Sequence, residues 1–150
     1  MIDLGFFNES GMKVGAAGFK VLLKKAEKVL AARIKKLLNA QKGDISLIIT
    51  DDAGICLLNT IHRKKNKPTD VLSFAYLENK NFKNGSAVIS IGDIFISHET
   101  ALKQAKEHKH PLKKELEILF VHGLLHLLGF DHQNDKQEDE MEKFARKILS

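Results

Sequence analysis

Residues 112–128, LKKELEILFVHGLLHLL, constrain the fold more than any other stretch of the chain. They contain no proline and carry apolar residues at helical spacing, so they predict one helix, with Pro111 at its first turn, where a missing N–H costs nothing. His122 and His126 stand at i and i+4 in it and project from the same face about one turn apart. Gly129 suits the left-handed conformation that reverses a chain after a helix, and the reversal brings His132 back to that face. Three imidazoles suit zinc and leave a fourth position open for water, the arrangement of a catalytic site and not of a closed structural one. Asp131 adjoins the third histidine and is a candidate outer acceptor for an imidazole N–H. A single histidine in an apolar helix is ordinarily a satisfied core residue. Three among so many leucines would carry a polar burial cost unless something engaged them. The expected metal site therefore lies on a helix plus the turn that follows it.

The rest of the chain must cover that helix. Residues 2–7 (IDLGFF), 45–50 (ISLIIT), 71–76 (VLSFAY) and 87–97 (AVISIGDIFIS) read as strands by their β-branched and alternating apolar residues. Residues 18–38 read as one amphipathic helix with lysines between its apolar positions. Further helices are expected over 52–65, capped by Thr50 or Asp51, over 98–109, and over 138–149. NKNFKNGS (79–86) reads as a turn. The expectation is one domain over 1–150, an α/β (α+β layered) fold with a small mixed β-sheet of about four strands and about five helices.

Composition narrows the class of function. A chain of 150 residues can bury roughly two-thirds of its unfolded surface and needs no disulfide. Its single cysteine, Cys56, excludes an intramolecular disulfide and a cysteine-built zinc site, and reads as a small buried hydrophobe. MIDLGFFNES lacks the basic segment of a signal peptide, and no apolar run approaches a membrane span. The reading is soluble and cytoplasmic. A net charge of +5 favours polyanionic partners, RNA above all. The cations concentrate in HRKKNK (62–67), while acids cluster after Asp131. His62 reads as surface within that run, His98 as serving a strand-to-helix turn, and His108 and His110 as solvent-facing near a helix boundary.

The histidine spacing is that of the metzincin peptidases, in which a glutamate follows the first histidine and acts as general base. Here that position is Gly123. Peptide hydrolysis loses its base, whereas phosphodiester cleavage depends chiefly on stabilising charge at phosphorus, which a metal and an arginine can do. A metallopeptidase or another metal hydrolase is the first rival reading. A non-catalytic ribosome-assembly or RNA-binding factor with a structural zinc is the second.

Three motifs converge on one family. HGLLHLLGFDH (122–132) resembles the H-G-x-L-H-L-x-G-x-D-H signature of the YbeY family. Asn59-x-x-x-Arg63 followed by PTDVLSF (68–74), and GDIFIS (92–97), are similar to two more of its motifs. The resemblance implies a zinc-dependent, single-strand-specific endoribonuclease that acts in rRNA processing, including maturation of the 16S rRNA 3′ end, and in ribosome quality control. It implies one Zn2+ per chain on His122, His126 and His132, a catalytic Arg63, and as partners single-stranded rRNA, the small ribosomal subunit and a small-subunit ribosomal protein. Read on its own, Arg63 is as readily a structural arginine closing its helix or pairing with Asp70 as a phosphate-binding fork. Lys64, Lys65 and Lys67 are candidate backbone-tracking cations, or a solvated charge run. Asp70 and Asp93 read first as pinning a loop and a strand.

Overall fold

The computed structural model describes residues 1–67, 69–76 and 88–150. Four strands, β1 (Ile2–Asn8), β2 (Lys42–Thr50), β3 (Val71–Ala75) and β4 (Val88–Ser97), form one mixed sheet in the order β1-β2-β4-β3. β1 and β4 flank β2 in parallel, and β3 runs antiparallel to β4 at the edge. The fold class is the one the sequence predicts. The expected turn at 79–86 lies outside the described residues.

Alternation along the central strands builds the core. Ile45, Leu47 and Ile49 of β2 and Ile94 and Ile96 of β4 point to one face and are buried there. Ile91 is an extra residue at a bulge, where the pairing jumps from Asp44 with Ser90 to Ile45 with Gly92.

Six helices are present among the described residues: α1 (Ala17–Val29), α2 (Ala31–Leu38), α3 (Asp52–Arg63), α4 (His98–Glu107), α5 (Leu112–Leu127) and α6 (Asp135–Leu149). The extra helix comes from a division of the expected 18–38 helix at Leu30, whose backbone sits at φ −112°, ψ 27°. Leu30 still donates to Ala26 and accepts from Ile34, so the apolar stripe Leu23, Ala26, Leu30, Ile34, Leu38 runs on across the break. Asp51, not Thr50, caps α3, its carboxylate accepting the Gly54 N–H at 2.7 Å. Asn134 caps α6 through the Gln137 N–H, so that helix starts three residues before the expected 138.

α5 is the hub, packing across β3 and β4 and against α1, α4 and α6. Past its charged first turns the helix is apolar on most sides, and Leu116, Leu119, Phe120, Val121, Leu124, Leu125 and Leu127 are all buried. Two glycines set how closely it lies on the sheet. A Cβ on Gly123 would come within 2.8 Å of Ile94 Cγ2, and one on Gly92 within 2.6 Å of Leu127 Cδ2 and 2.3 Å of Phe74 O.

Two sequence expectations fail here. Cys56 is only half-buried, with its Sγ 3.5 Å from Asn66 Oδ1, because its side of α3 faces the loop that follows the helix and not the sheet. His110 is not solvent-facing: its side chain is 18% exposed and turned onto Glu115.

Candidate metal centre and substrate cavity

The last turn of α5 and the chain reversal after it build the site. Gly129 adopts φ +95°, its N–H bonds to His126 O, and the Phe130 N–H reaches back to Leu125 O. These two bonds are the Schellman closure that glycine permits without strain. Phe130 is thereby buried, and the chain leaves towards Asp131 and His132 on the side from which His126 projects. The imidazoles of His126 and His132 come to 5.1 Å between centroids, nearly perpendicular.

The ring orientations of the two helical histidines are fixed by backbone. His122 Nδ1 lies 2.9 Å from Ile118 O, and His126 Nδ1 lies 3.1 Å from Phe130 O. A carbonyl oxygen only accepts, so each Nδ1 carries the proton and each Nε2 keeps its lone pair. Burial lowers the His126 pKa, and the nearby His132 and His122 lower it further against the Phe130 bond and Asp131. An imidazole with a free Nε2 is the ligand form, so the donor chemistry of His122 and His126 suits a zinc ion, although the donor atoms of His122, His126 and His132 do not all lie within 4.8 Å of one another in this structure. His132, 61% exposed, is held through its backbone: the Asp131 carboxylate accepts the His132 N–H at 2.7 Å and lies 4.0 Å from His132 Nδ1. Asp131 thus orients the third histidine through the main chain in this structure.

His126, His132 and Asp131 form one wall of a cavity of about 520 Å³, with Arg63, Thr69, Asp70 and Ser73 among the residues opposite. Arg63 is the last residue of α3 and is exposed. The loop after it is organised by Asn59, which is buried and donates from Nδ2 to Lys67 O at 2.9 Å. Asp70 does not pair with Arg63. Its carboxylate accepts the Val71 N–H, the Thr69 hydroxyl and the Gln104 amide, so it pins the loop into β3. Among the described residues no ion pair engages the Arg63 guanidinium. Lys64, Lys65 and Lys67 are exposed beside it, outside the cavity wall. His62 packs its ring on Phe74 of β3, 4.9 Å between centroids, which ties the end of α3 to the sheet edge. Asp93 accepts the Tyr76 hydroxyl at 2.5 Å, and His98 Nδ1 donates to Thr50 O.

One residue that shapes the site has no motif to mark it. Arg33 of α2 donates from Nε to Leu128 O at 2.9 Å, and its guanidinium carbon lies 4.0 Å over the Phe130 ring. It caps the C-terminus of α5 and clamps the turn that carries His132. Only three arginines occur in this lysine-rich chain, which is the one sequence signal that could have singled it out.

Two imidazoles and a guanidinium without an ion pair among the described residues line one open polar cavity, which suits binding of a phosphate ester. The family model described as endoribonuclease YbeY matches residues 13–150. This chain belongs to the endoribonuclease YbeY family. A relative of that name from Heliobacterium modesticaldum is 46% identical over 112 residues, covering 71% of this chain and 68% of the relative. One from Caldicellulosiruptor bescii is 41% identical over 132 residues, 82% of each chain. One from Bradyrhizobium diazoefficiens is 44% identical over 110 residues, which are 73% of this chain and 60% of that relative's length. A solution structure of a protein from Thermotoga maritima superposes over 99% of this chain and 89% of its own with a TM-score of 0.59 at 22% identity, a likeness of fold. The YbeY family is one of nucleases that hydrolyse phosphodiester bonds, so the expected enzyme class stands and the peptidase reading falls. Gly123 agrees with that: it faces Ile94 and the Ser73 hydroxyl of the sheet, where a catalytic carboxylate has no room.

Proposed function

We propose that this chain is a zinc-dependent, single-strand-specific endoribonuclease of rRNA processing, including 16S rRNA 3′-end maturation and ribosome quality control in the cytoplasm. The observation that carries this reading is the meeting of His126, His132 and Arg63 around one polar cavity. His122, His126 and His132 would hold one zinc ion, which supplies Lewis-acid stabilisation of charge at a scissile phosphate. The chain's own groups do the rest. The backbone carbonyls of Ile118 and Phe130 hold two imidazoles in the ligand tautomer. Arg63, free of Asp70, offers paired N–H donors to two phosphate oxygens and neutralises charge that builds on them. Lys64, Lys65 and Lys67 track the flanking backbone without reading sequence, as befits a single-strand substrate. The small ribosomal subunit, with one of its proteins, is the partner that would deliver that substrate.

The test is cleavage of single-stranded rRNA fragments by the zinc-loaded protein beside His126→Ala and Arg63→Ala variants. Loss in both variants supports the site. Wild-type rates in both would show the site to be misplaced, and no cleavage by any of the three would favour a non-catalytic assembly factor. A substrate with a 2′-deoxy residue at the cut separates the two attacks open to this site. Ribose 2′-oxygen attack needs that hydroxyl and leaves a cyclic phosphate, whereas attack by water does not.

A further inference from the structure

The N-terminal end of α5 gathers a second group of imidazoles. His108 follows the last turn of α4 and His110 sits in the link to α5, and both rings converge on one carboxylate oxygen of Glu115. His108 Nδ1 lies 3.3 Å from Glu115 Oε2, and His110 Nε2 is in still closer contact with the same oxygen. The two rings are 5.4 Å apart, and the three ligand atoms all lie within 4.8 Å of one another.

Several features make this more than a chance contact. The Glu115 side chain is 3% exposed, and a carboxylate buried that far requires compensation. Lys106, Lys109, Lys113 and Lys114 are all close in sequence, yet all are exposed, and among the described residues Glu115 ion-pairs with neither them nor any other fixed cation. Its partners are two side chains that can each be neutral. The convergence also costs backbone strain: Lys109, between the histidines, sits at φ +57°, a conformation non-glycine residues rarely adopt. α5 starts at Leu112 with Pro111 as an N-cap that offers no side-chain hydrogen bond, and Glu115 in its first turn meets both histidines that precede the helix.

We propose that His108, His110 and Glu115 bind a divalent transition-metal ion of the zinc class, clipping α4 to α5. Two imidazoles and one carboxylate are a zinc donor set, and hard cations such as magnesium prefer all-oxygen sites. His108, 56% exposed, leaves an entry path and room for water to complete the coordination. Binding takes up the Nδ1 lone pair of His108, the Nε2 lone pair of His110 and Glu115 Oε2, and any proton shared between them leaves to solvent. Seven residues of helix separate Glu115 from His122, about 10 Å, so this ion is distinct from the one proposed at the other end of α5.

The experiment is a metal titration of the full chain, stripped with a chelator and loaded with zinc or cobalt(II). Bound metal is counted by elemental analysis, and the cobalt spectrum reports the ligand field. Wild type should bind two equivalents, His110→Ala one, His126→Ala one, and the double variant none. Zinc at a hundredfold above its Kd should raise the Tm of His126→Ala by about 5 to 10 °C and leave the double variant unmoved. Equal stoichiometry in wild type and His110→Ala, or a His126→Ala variant that binds no metal, would overturn the proposal. One equivalent in wild type, kept by His126→Ala and lost in His110→Ala, would support this clip and count against the catalytic zinc instead. Should circular dichroism show His110→Ala unfolded, the exposed His108→Ala and the isosteric Glu115→Gln carry the same stoichiometric test.

Discussion

The two ends of α5 solve one problem by different means. At each end a residue with positive φ turns the chain so that imidazoles converge, Gly129 at φ +95° and Lys109 at φ +57°. At the C-terminal end the turn residue is unstrained, and backbone carbonyls occupy the Nδ1 atoms of His122 and His126. His126, with His132, lines a cavity of about 520 Å³ shared with Arg63, whereas His122 lies outside its lining. At the N-terminal end the ring nitrogens face a buried carboxylate, and neither histidine lines the cavities of about 300 and 430 Å³ that open beside the first turns of α5. An arrangement that leaves lone pairs facing open space can bind and turn over a substrate. One that turns them onto an internal carboxylate is suited to holding an ion in place.

The largest effects should separate the two ends cleanly. His126→Ala should lower RNA cleavage at least about a thousandfold, since it removes a ligand and with it the charge stabilisation at phosphorus. Arg63→Ala should cost about a hundredfold, and Arg63→Lys should restore only part of that, because an ammonium cannot fork two oxygens. His110→Ala should leave the cleavage rate at the wild-type level while its metal count falls by one. Initial rates on a single-stranded fragment at saturating zinc check all three. Comparable loss in His110→Ala would erase the distinction between the ends.

Next come substitutions at the glycines. Gly123→Ala puts a Cβ 2.8 Å from Ile94 Cγ2, so overpacking should cost about 1 to 3 kcal/mol, read as a Tm drop of a few degrees per kcal/mol. Gly123→Glu should destabilise more and confer no peptidase activity, because the position faces the sheet. Gly129→Ala should cost about 1 to 2 kcal/mol through its left-handed backbone and should also weaken zinc binding, since the turn carries His132. A Gly129→Ala protein of wild-type stability and zinc affinity would refute the account of that turn.

These substitutions also show where the sequence was legible. The His122, His126, Gly129, His132 spacing is local, and local geometry is what periodicity encodes. The strands followed from alternation for the same reason. The break at Leu30 has no proline or glycine to announce it, and the helix hydrogen bonds run through it. Arg33 acts on Leu128 O, 95 residues away in sequence, so no spacing rule could place it. His110 escaped because its partner Glu115 lies across a helix boundary, where five residues have no fixed geometry. Arg33→Ala should cost about 1 kcal/mol and loosen zinc, with Arg33→Lys intermediate, as thermal melts at matched zinc would show.

The smallest effect concerns a helix start that uses no histidine ligands. Where α5 lacks a side-chain cap, α4 is capped by Ser97, which accepts the Thr100 N–H, while Asp52 of α3 accepts both the Ser97 and the Thr100 hydroxyls. Those hydrogen bonds lower the Asp52 pKa below its ordinary 3.8 against the opposing effect of burial, with lesser contributions from His98 and Lys103 adding to the shift. The folded state therefore binds the Asp52 proton less readily than the unfolded chain. Its contribution to stability is present above about pH 4 and is lost as pH falls from 3.8 through the lower folded value. Asp52→Asn should reduce stability at neutral pH and leave little difference from wild type once both are well below that window. Denaturant melts of the two proteins across the acid range measure this directly, and parallel curves down to the lowest pH would show that Asp52 does not hold α3 to α4. The zinc count should stay the same in both proteins, because Asp52 touches neither end of α5.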